Sequence, residues 1–478
     1  MRRAKILATL GPASREPEIL EQLINNGLNA VRINMSHGSQ DEHAETVARV
    51  RVAAEKTQRP ISILVDLSGP KIRTGKLVNK TPVLLVEGAK FIITSREIEG
   101  TQNEVSTIFS DIAKFVQPDE AIMLDDGALE LRVESTTETD VICRVVVGGL
   151  LSERKGINLP NTVLPIPSLT EKDKSDLAWA VTQNADFIAL SFVRKAQDCI
   201  EAKDLIHQRG GRAMLIAKIE KAEAIVNLDE IVKASDGLMV ARGDLGVETS
   251  VELVPVYQKR IIEKSIESDK FVITATQMLQ SMIENPRPTR AEASDVANAV
   301  WDGSDAVMLS GETAMGKYPV ETVATMARII DAAEAGNAVG SRKILRYTGE
   351  VSGRTSRALC KAAAIAAEEL AVKKIAVFTE SGLMARRLSS VRPPQWIFAL
   401  TSDENVRNQL ALIWGIEPLF HKDSETTEEI LNVGEQTLLA AGAVENGETL
   451  VMMAGRLSGL GLSSSVVVST VGESVPSV

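Results

Sequence analysis

From residue 5 onward, short apolar runs alternate with longer stretches in which apolar positions recur at helical spacing. Unbroken apolar runs suit strands buried on both faces of a parallel sheet, and the intervening stretches suit the helices that cover it. The runs are "KILATL" (5–10), "NAVRIN" (29–34), "ISILVD" (61–66), "FIALSF" (187–192), "MLIAKI" (214–219), "GLMVAR" (237–242), "FVITAT" (271–276) and "DAVMLS" (305–310). Eight is the number that closes a (β/α)8, or TIM, barrel.

Most gaps between runs fit one βα unit, but the third and fourth lie more than a hundred residues apart. Within that gap, "TPVLLVEGAKFIIT" and "GALELRVESTTETDVICRVVVGG" alternate in short Val-, Ile- and Thr-rich strands divided by Gly, Asp and Pro, which predicts a small inserted β domain. The return, "NLPNTVLPIPSLTEKD", places Thr170 and Asp173 at capping-box spacing. After "AGNAVGSRKILRYTG" the pattern restarts with "TSRALCKAAAIAAEEL", "KKIAVFT", "PQWIFALT" and "ETLVMMAG", a further α/β domain. The expected division is a barrel from 1–69 and 166–345, an insertion over 70–165 and a C-terminal domain over 346–478.

Composition narrows the class. No apolar stretch approaches the ~18 residues of a membrane helix. "MRRAKILATLGPAS" reaches Gly-Pro too soon for a signal-peptide core, so a cytoplasmic protein is expected. Cys143, Cys199 and Cys360 are too dispersed for a CxxC site or a disulfide framework and are expected in the core. A net charge of −11 argues against general nucleic-acid binding.

A barrel does its chemistry where strands end, because the βα loops there surround one mouth. The second run ends in Arg32, Asn34 and Ser36, and the third in Asp66, Lys71 and Arg73. The fifth supplies Lys218 and Glu220, the sixth Arg242 and Asp244, the seventh Thr276 and Gln277, the eighth Ser310 and Glu312. Each could be a helix cap or surface charge when taken singly. Lys218 and Glu220, two apart in a strand, share a face and can equally form a mutual salt bridge. Jointly, Glu220 and Asp244 can hold one hard divalent cation, while Arg32, Arg73 and Lys218 suit a phosphoryl group. The Gly243 turn can offer backbone N–H groups to a small carboxylate.

Other signals carry less. His37, His43, His207 and His421 lack metal-ligand spacing, and His207 and His421 are expected at the surface. "GRLSGLGLSS" (455–464) has no Walker lysine, and "NPRPTRAE" (285–292) is a capping box built on Thr289 and Glu292.

The stretches "LGPAS", "VRINMSHG", "DLSGPKIRTG", "KGINLP", "LTEKD", "AKIEKAEAI", "MVARGDLGVE", "ATQMLQSMIENPRPTRAE" and "SDAVMLSGETAMGKYP" resemble the pyruvate kinase family, collinearly through all three segments, with a bacterial-type length and N-terminus. The resemblance implies transfer of phosphoryl from phosphoenolpyruvate to ADP by a cytoplasmic homotetramer, with the insertion a small β-barrel lid and the C-terminal domain regulatory. It implies that Glu220 and Asp244 bind Mg2+ or Mn2+ and that Lys218 contacts the transferring phosphoryl group and the enolate. Arg32 and Arg73 match phosphate-gripping arginines, and Asn34, His37 and Lys155 accompany them at the nucleotide. Thr276, with Ser310 and Glu312, matches the network beside the enolate carbon, and Ala241, Arg242, Gly243 and Asp244 match the substrate-carboxylate segment.

Two departures from the family pattern bear on regulation and ion dependence. Many members carry Glu where this chain reads "GPKIR" and use K+ in a pocket matching Asn34, Ser36, Asp66 and the Leu67 carbonyl; Lys71 implies an enzyme that does not require K+. In the third domain "TESGLMARRLSS" resembles an effector phosphate loop through Thr379, Ser381 and Gly382, though Leu383 and Met384 are apolar. A sugar monophosphate or nucleotide effector is expected; the competing reading is a helix start capped by Ser381.

Overall fold

A computed structural model of the chain describes residues 2–160, 162, 164–336, 351–422, 427–454 and 465–473. Its centre is a closed barrel of parallel strands: β1 (Lys5–Thr9), β2 (Ala30–Asn34), β3 (Ser62–Asp66), β4 (Phe187–Leu190), β5 (Met214–Ile219), β6 (Gly237–Ala241), β7 (Phe271–Ala275) and β8 (Ala306–Leu309). Each pairs with its sequence neighbour, and β8 returns to β1. At β4, β6, β7 and β8 the ladder stops before the apolar run does, so Ser191, Phe192, Arg242, Thr276 and Ser310 leave the sheet. Phe192 and Thr276 leave it in left-handed conformations, φ 55° and 70°. Such backbone strain in non-glycine residues gathers at functional sites.

Strand alternation divides the barrel's apolar residues into two layers. Leu7, Leu64, Ile216, Met239, Ile273 and Met308 fill the interior, where Phe187 and Phe271 meet edge to face at 5.3 Å. Ile6, Ile63, Leu215, Leu238, Val272 and Val307 instead pack against the surrounding helices. Both anticipated capping boxes are formed, Thr170 with Asp173 on helix Glu171–Thr182 and Thr289 with Glu292 on helix Arg290–Asp302.

Between β3 and β4 lie a six-stranded sheet and a two-stranded one, together with the short helix Ile112–Phe115. This insertion has its own core around Phe91, Ile93, Leu131 and Val145. The C-terminal α/β unit carries a five-stranded sheet, parallel except for the edge strand Ser465–Thr470. The Gly-rich stretch 455–464 lies outside the described residues.

The C-terminal unit plugs the N-terminal end of the barrel, and its core is continuous with the barrel interior. Lys5 Nζ donates to the Ile416 carbonyl at 2.6 Å, and Arg392 pairs with Asp305 at 3.0 Å. The opposite end, where the strands terminate, is left to the insertion. All three cysteines are buried. His421, expected at the surface, is buried edge-on against Phe378: strand alternation leaves Phe420 exposed and turns His421 to the other face, and the His421 backbone N–H donates to the Thr401 carbonyl at 3.1 Å. Among the described residues no helix is long and apolar enough to cross a membrane.

Candidate active site

Four strand ends build a buried charge network at the C-terminal mouth. Lys218, on β5, is almost fully buried and contacts three groups: Glu220 at 2.8 Å, Ser191 Oγ at 2.7 Å and Asp66 at 3.3 Å. Asp66, at the end of β3, also takes Arg32 Nε from β2 at 2.6 Å. Ser191 Oγ accepts from Lys218 and donates to the Leu67 carbonyl at 2.7 Å. Arg32 Nη1 reaches Thr9 Oγ1 at 3.1 Å, bringing in β1.

The network sets its own protonation. Burial opposes the Lys218 ammonium, but the Asp66 and then the Glu220 carboxylates outweigh it and raise its pKa above the usual lysine value. Burial works against the Asp66 carboxylate too, yet Lys218 and Arg32 hold its pKa below the ordinary range. Glu220 is raised, first by burial and then, against Lys218, by the charge of Asp244. A buried carboxylate whose pKa is raised in part by a second carboxylate close enough to act on it suits a cation shared between the two. Among the described residues no group of three or more His, Cys, Asp or Glu is poised for a metal. A pair of carboxylates with open positions fits Mg2+, which commonly takes one or two protein carboxylates and completes its shell with water and substrate oxygens.

The Lys218–Glu220 salt bridge, the alternative to a metal-bound Glu220 beside an unpaired Lys218, is therefore formed, and the ammonium is held in place by three neighbours. Asp244 lies on the short helix Arg242–Glu248 that follows β6. Ala241 precedes that helix, and the Gly243 N–H, expected to face a ligand, instead donates to Thr276 Oγ1 at 2.9 Å. The left-handed turn at Thr276 aims its hydroxyl toward this N–H. Arg242 likewise faces structure, binding Asp295 at 2.7 Å and the Thr276 carbonyl at 2.7 Å. Glu312 is fully buried and accepts from the backbone N–H of Ser310 at 2.7 Å and of Leu279 at 3.1 Å. It ties the ends of β7 and β8 together and has no direct bond to Thr276 among the described residues.

The outer wall is cationic. Burial, and then the charges of Arg73, Lys71 and Arg32, lower the His37 pKa, so all three cations lie in its field. Asn34 Oδ1 accepts from the Ser36 N–H at 3.2 Å, and the Leu67 carbonyl is taken by Ser191, so these groups are already bonded within the chain. Lys71 is exposed and makes no ion pair with Asp66, whose charge is met by Arg32 and Lys218. Arg73 Nη1 donates to the Arg154 carbonyl at 3.1 Å, and Lys155 pairs with Asp125 at 2.9 Å. A cleft lined by Lys71, Asp126, Asn158, Arg194, Lys221, Asp244 and Glu248 runs between insertion and barrel.

In the C-terminal unit, Thr379 is buried at the end of strand Lys374–Phe378. Gly382, with φ 72°, begins helix Leu383–Ser390 without any side-chain cap, so the Ser381 capping reading fails: the left-handed glycine turns the chain there. Arg386, one turn on, donates to the Ser381 carbonyl at 3.2 Å and lines a cleft shared with Lys203, His207 and Arg212 of the barrel.

Ser191 was not among the expected site residues, although it stands in the fourth run; a lone hydroxyl inside "FIALSF" is the only signal it leaves. Phe192, whose N–H donates to Glu220 at 2.7 Å, was hidden in the same run.

The fold and site define a (β/α)8 barrel enzyme with a buried, charge-compensated lysine at its catalytic end. Residues 1–323 match the family described as "Pyruvate kinase, barrel domain", and residues 357–468 match "Pyruvate kinase, alpha/beta domain". The chain is 42% identical over 458 residues to a pyruvate kinase of Clostridium acetobutylicum, covering 95% of this chain and 96% of that one. It is 41% identical to one of Staphylococcus aureus, over 99% of this chain and 81% of the relative. A crystal structure of a pyruvate kinase from Cryptosporidium parvum superposes with a TM-score of 0.90 at 32% identity, covering 98% of this chain and 96% of that chain. The chain belongs to the pyruvate kinase family and is a phosphotransferase.

Proposed function

We propose that the chain transfers the phosphoryl group of phosphoenolpyruvate to ADP, giving ATP and pyruvate, in the last step of glycolysis. The enol C–O–P bond breaks at its O–P link, a β-phosphate oxygen of ADP bonds to phosphorus, and the enolate takes a proton at carbon. Such transfer needs positioning and charge neutralisation more than covalent help. The observation that carries this reading is the Arg32–Asp66–Lys218–Glu220 network: its two cations are fixed before substrate arrives and need little reorganisation during reaction.

In this reading Lys218 faces the transferring phosphoryl oxygens and then the enolate oxygen, with Arg32 and Arg73 gripping phosphate. Glu220 and Asp244 would hold Mg2+ or Mn2+, which when bound neutralises phosphoryl charge. Thr276 stands beside the enolate carbon, with Ser310 and Glu312 setting the loops around it, and Ala241, Arg242, Gly243 and Asp244 shape the carboxylate end. Asn34, His37, Arg73 and Lys155 serve the nucleotide. The insertion, 70–165, acts as a lid that excludes water. The barrel comprises 1–69 and 166–345, and 346–478 regulates it, with Thr379, Ser381 and Gly382 receiving a phosphate-bearing sugar or nucleotide. Homotetramer assembly and a cytoplasmic setting follow the family reading.

A Schiff-base lyase would need Lys218 deprotonated, whereas its two carboxylate neighbours hold the ammonium charged. The deciding measurement is a coupled assay for pyruvate formation from phosphoenolpyruvate and ADP with Mg2+. We expect turnover to persist when K+ is replaced by tetramethylammonium, because Lys71 adds positive charge at the mouth. A large loss on that exchange would sink K+ independence, and no pyruvate under any condition would sink the function.

A further inference from the structure

Glu248 closes the helix that carries Asp244, four residues on, so the two carboxylates stand on one face a turn apart. It is buried, and its two oxygens serve different bodies. Oε2 meets Lys221 Nζ, on the barrel, at 2.8 Å, while Oε1 accepts from Asn158 Nδ2, on the insertion, at 2.8 Å. Asn158 is no loose side chain: its strand Ile157–Asn158 is paired in the inserted sheet with Met123 and Leu124. Nearby, Gly127 in the turn of the insertion packs toward Val247, the residue before Glu248. The insertion's return is clamped elsewhere, by Arg194, whose guanidinium donates to the carbonyls of Leu164 and Ile166.

We propose that Asn158 and Glu248 are a latch that holds the insertion down on the Asp244 helix, making both positioning residues for the reaction. The proposal rests on reading 70–165 as a lid. The charge distribution favours a contact that opens and closes. Lys221 stays with Glu248 on the barrel, so lid opening breaks one amide-to-carboxylate hydrogen bond and leaves the buried ion pair whole. A lysine on the lid would instead strand a buried charge at every opening. Because Glu248 and Asp244 share a short helix, the latch also couples lid position to the placement of Asp244.

The test uses the full chain with Asn158→Ala, which deletes the donor, and Asn158→Asp, which sets two carboxylates against each other. Loss of a hydrogen bond to a charged group shifts a closed-to-open ratio by roughly ten- to a hundredfold. Hydrogen–deuterium exchange without substrate should therefore quicken about tenfold in the lid segments around Met123 and Ile157, more for Asp than for Ala, with the C-terminal sheet unchanged. In steady-state kinetics KM for ADP should rise by about tenfold with kcat nearly unchanged, because substrate must now drive closure. Lid exchange equal to wild type in both variants, or a fall in kcat at unchanged KM, would overturn the latch. If wild-type enzyme turned over no phosphoenolpyruvate, the function would fail while the exchange measurement still decided the latch.

Discussion

Replacing Ser191 with alanine isolates one strut of the Lys218 network. The hydroxyl is buried, accepts from Lys218 at 2.7 Å and donates to the Leu67 carbonyl at 2.7 Å. Alanine keeps the Cβ and fits the same space, and Lys218 retains Glu220 at 2.8 Å and Asp66 at 3.3 Å. The ammonium is therefore not stranded, and the several-kcal/mol cost of an unpaired buried charge does not arise. What is lost is one hydrogen bond to a charged group, worth about 1.5–3 kcal/mol. If that bond fixes the ammonium where charge develops, its loss appears as a kcat lowered by about ten- to a hundredfold. KM for ADP should stay near wild type, since the contacts of Arg73 and Lys155 within the insertion are untouched. Ser191→Cys, nearly isosteric but a weaker acceptor, should fall between. The assay is coupled pyruvate formation at saturating substrates, with circular dichroism to establish folding. A folded Ser191→Ala enzyme with kcat within about twofold of wild type would refute the positioning role.

Two further perturbations probe the barrel's closed end and the C-terminal unit. Burial raises the Asp186 pKa to about 6, against Arg51 at 3.1 Å and the Ile63 N–H. The folded state then binds the extra proton between the unfolded pKa and about 6, so this group's contribution to stability falls as pH rises through that window and is level above it. Asp186→Asn should accordingly gain thermal stability relative to wild type on going from about pH 4 to about pH 7; a calorimetric difference independent of pH would refute the assignment. If the proposed effector loop at Thr379, Ser381 and Gly382 receives a phosphate, Arg386, whose side chain meets the Ser381 carbonyl, should contribute to it. Arg386→Gln should then abolish any lowering of half-saturating phosphoenolpyruvate by a sugar monophosphate or nucleotide while leaving the unactivated kcat intact, and an undiminished response would refute that contribution.

The parts of this fold that could be read in advance are those governed by local rules. Barrel strands buried on both faces must be apolar throughout, so all eight runs stand out. Their ends are harder to place, because Phe192 and Thr276 continue the apolar or β-branched pattern after the backbone has turned to positive φ. Strand Ile416–Phe420 hides for the opposite reason: Glu417 and Pro418 break its pattern, tolerable because it lies at the edge of its sheet. Lys218 and Glu220 were placed on one face by alternation alone, but Asp66 is brought to Lys218 only because β4 pairs with both β3 and β5, across the more than a hundred residues that separate β3 from β4 in the chain. No local pattern encodes that approach. It also changes the meaning of the pair. A salt bridge and a reactive site are alternatives only if Lys218 has one partner; with Asp66, Ser191 and Glu220 all in reach, the two carboxylates keep the lysine charged while all three neighbours fix its position.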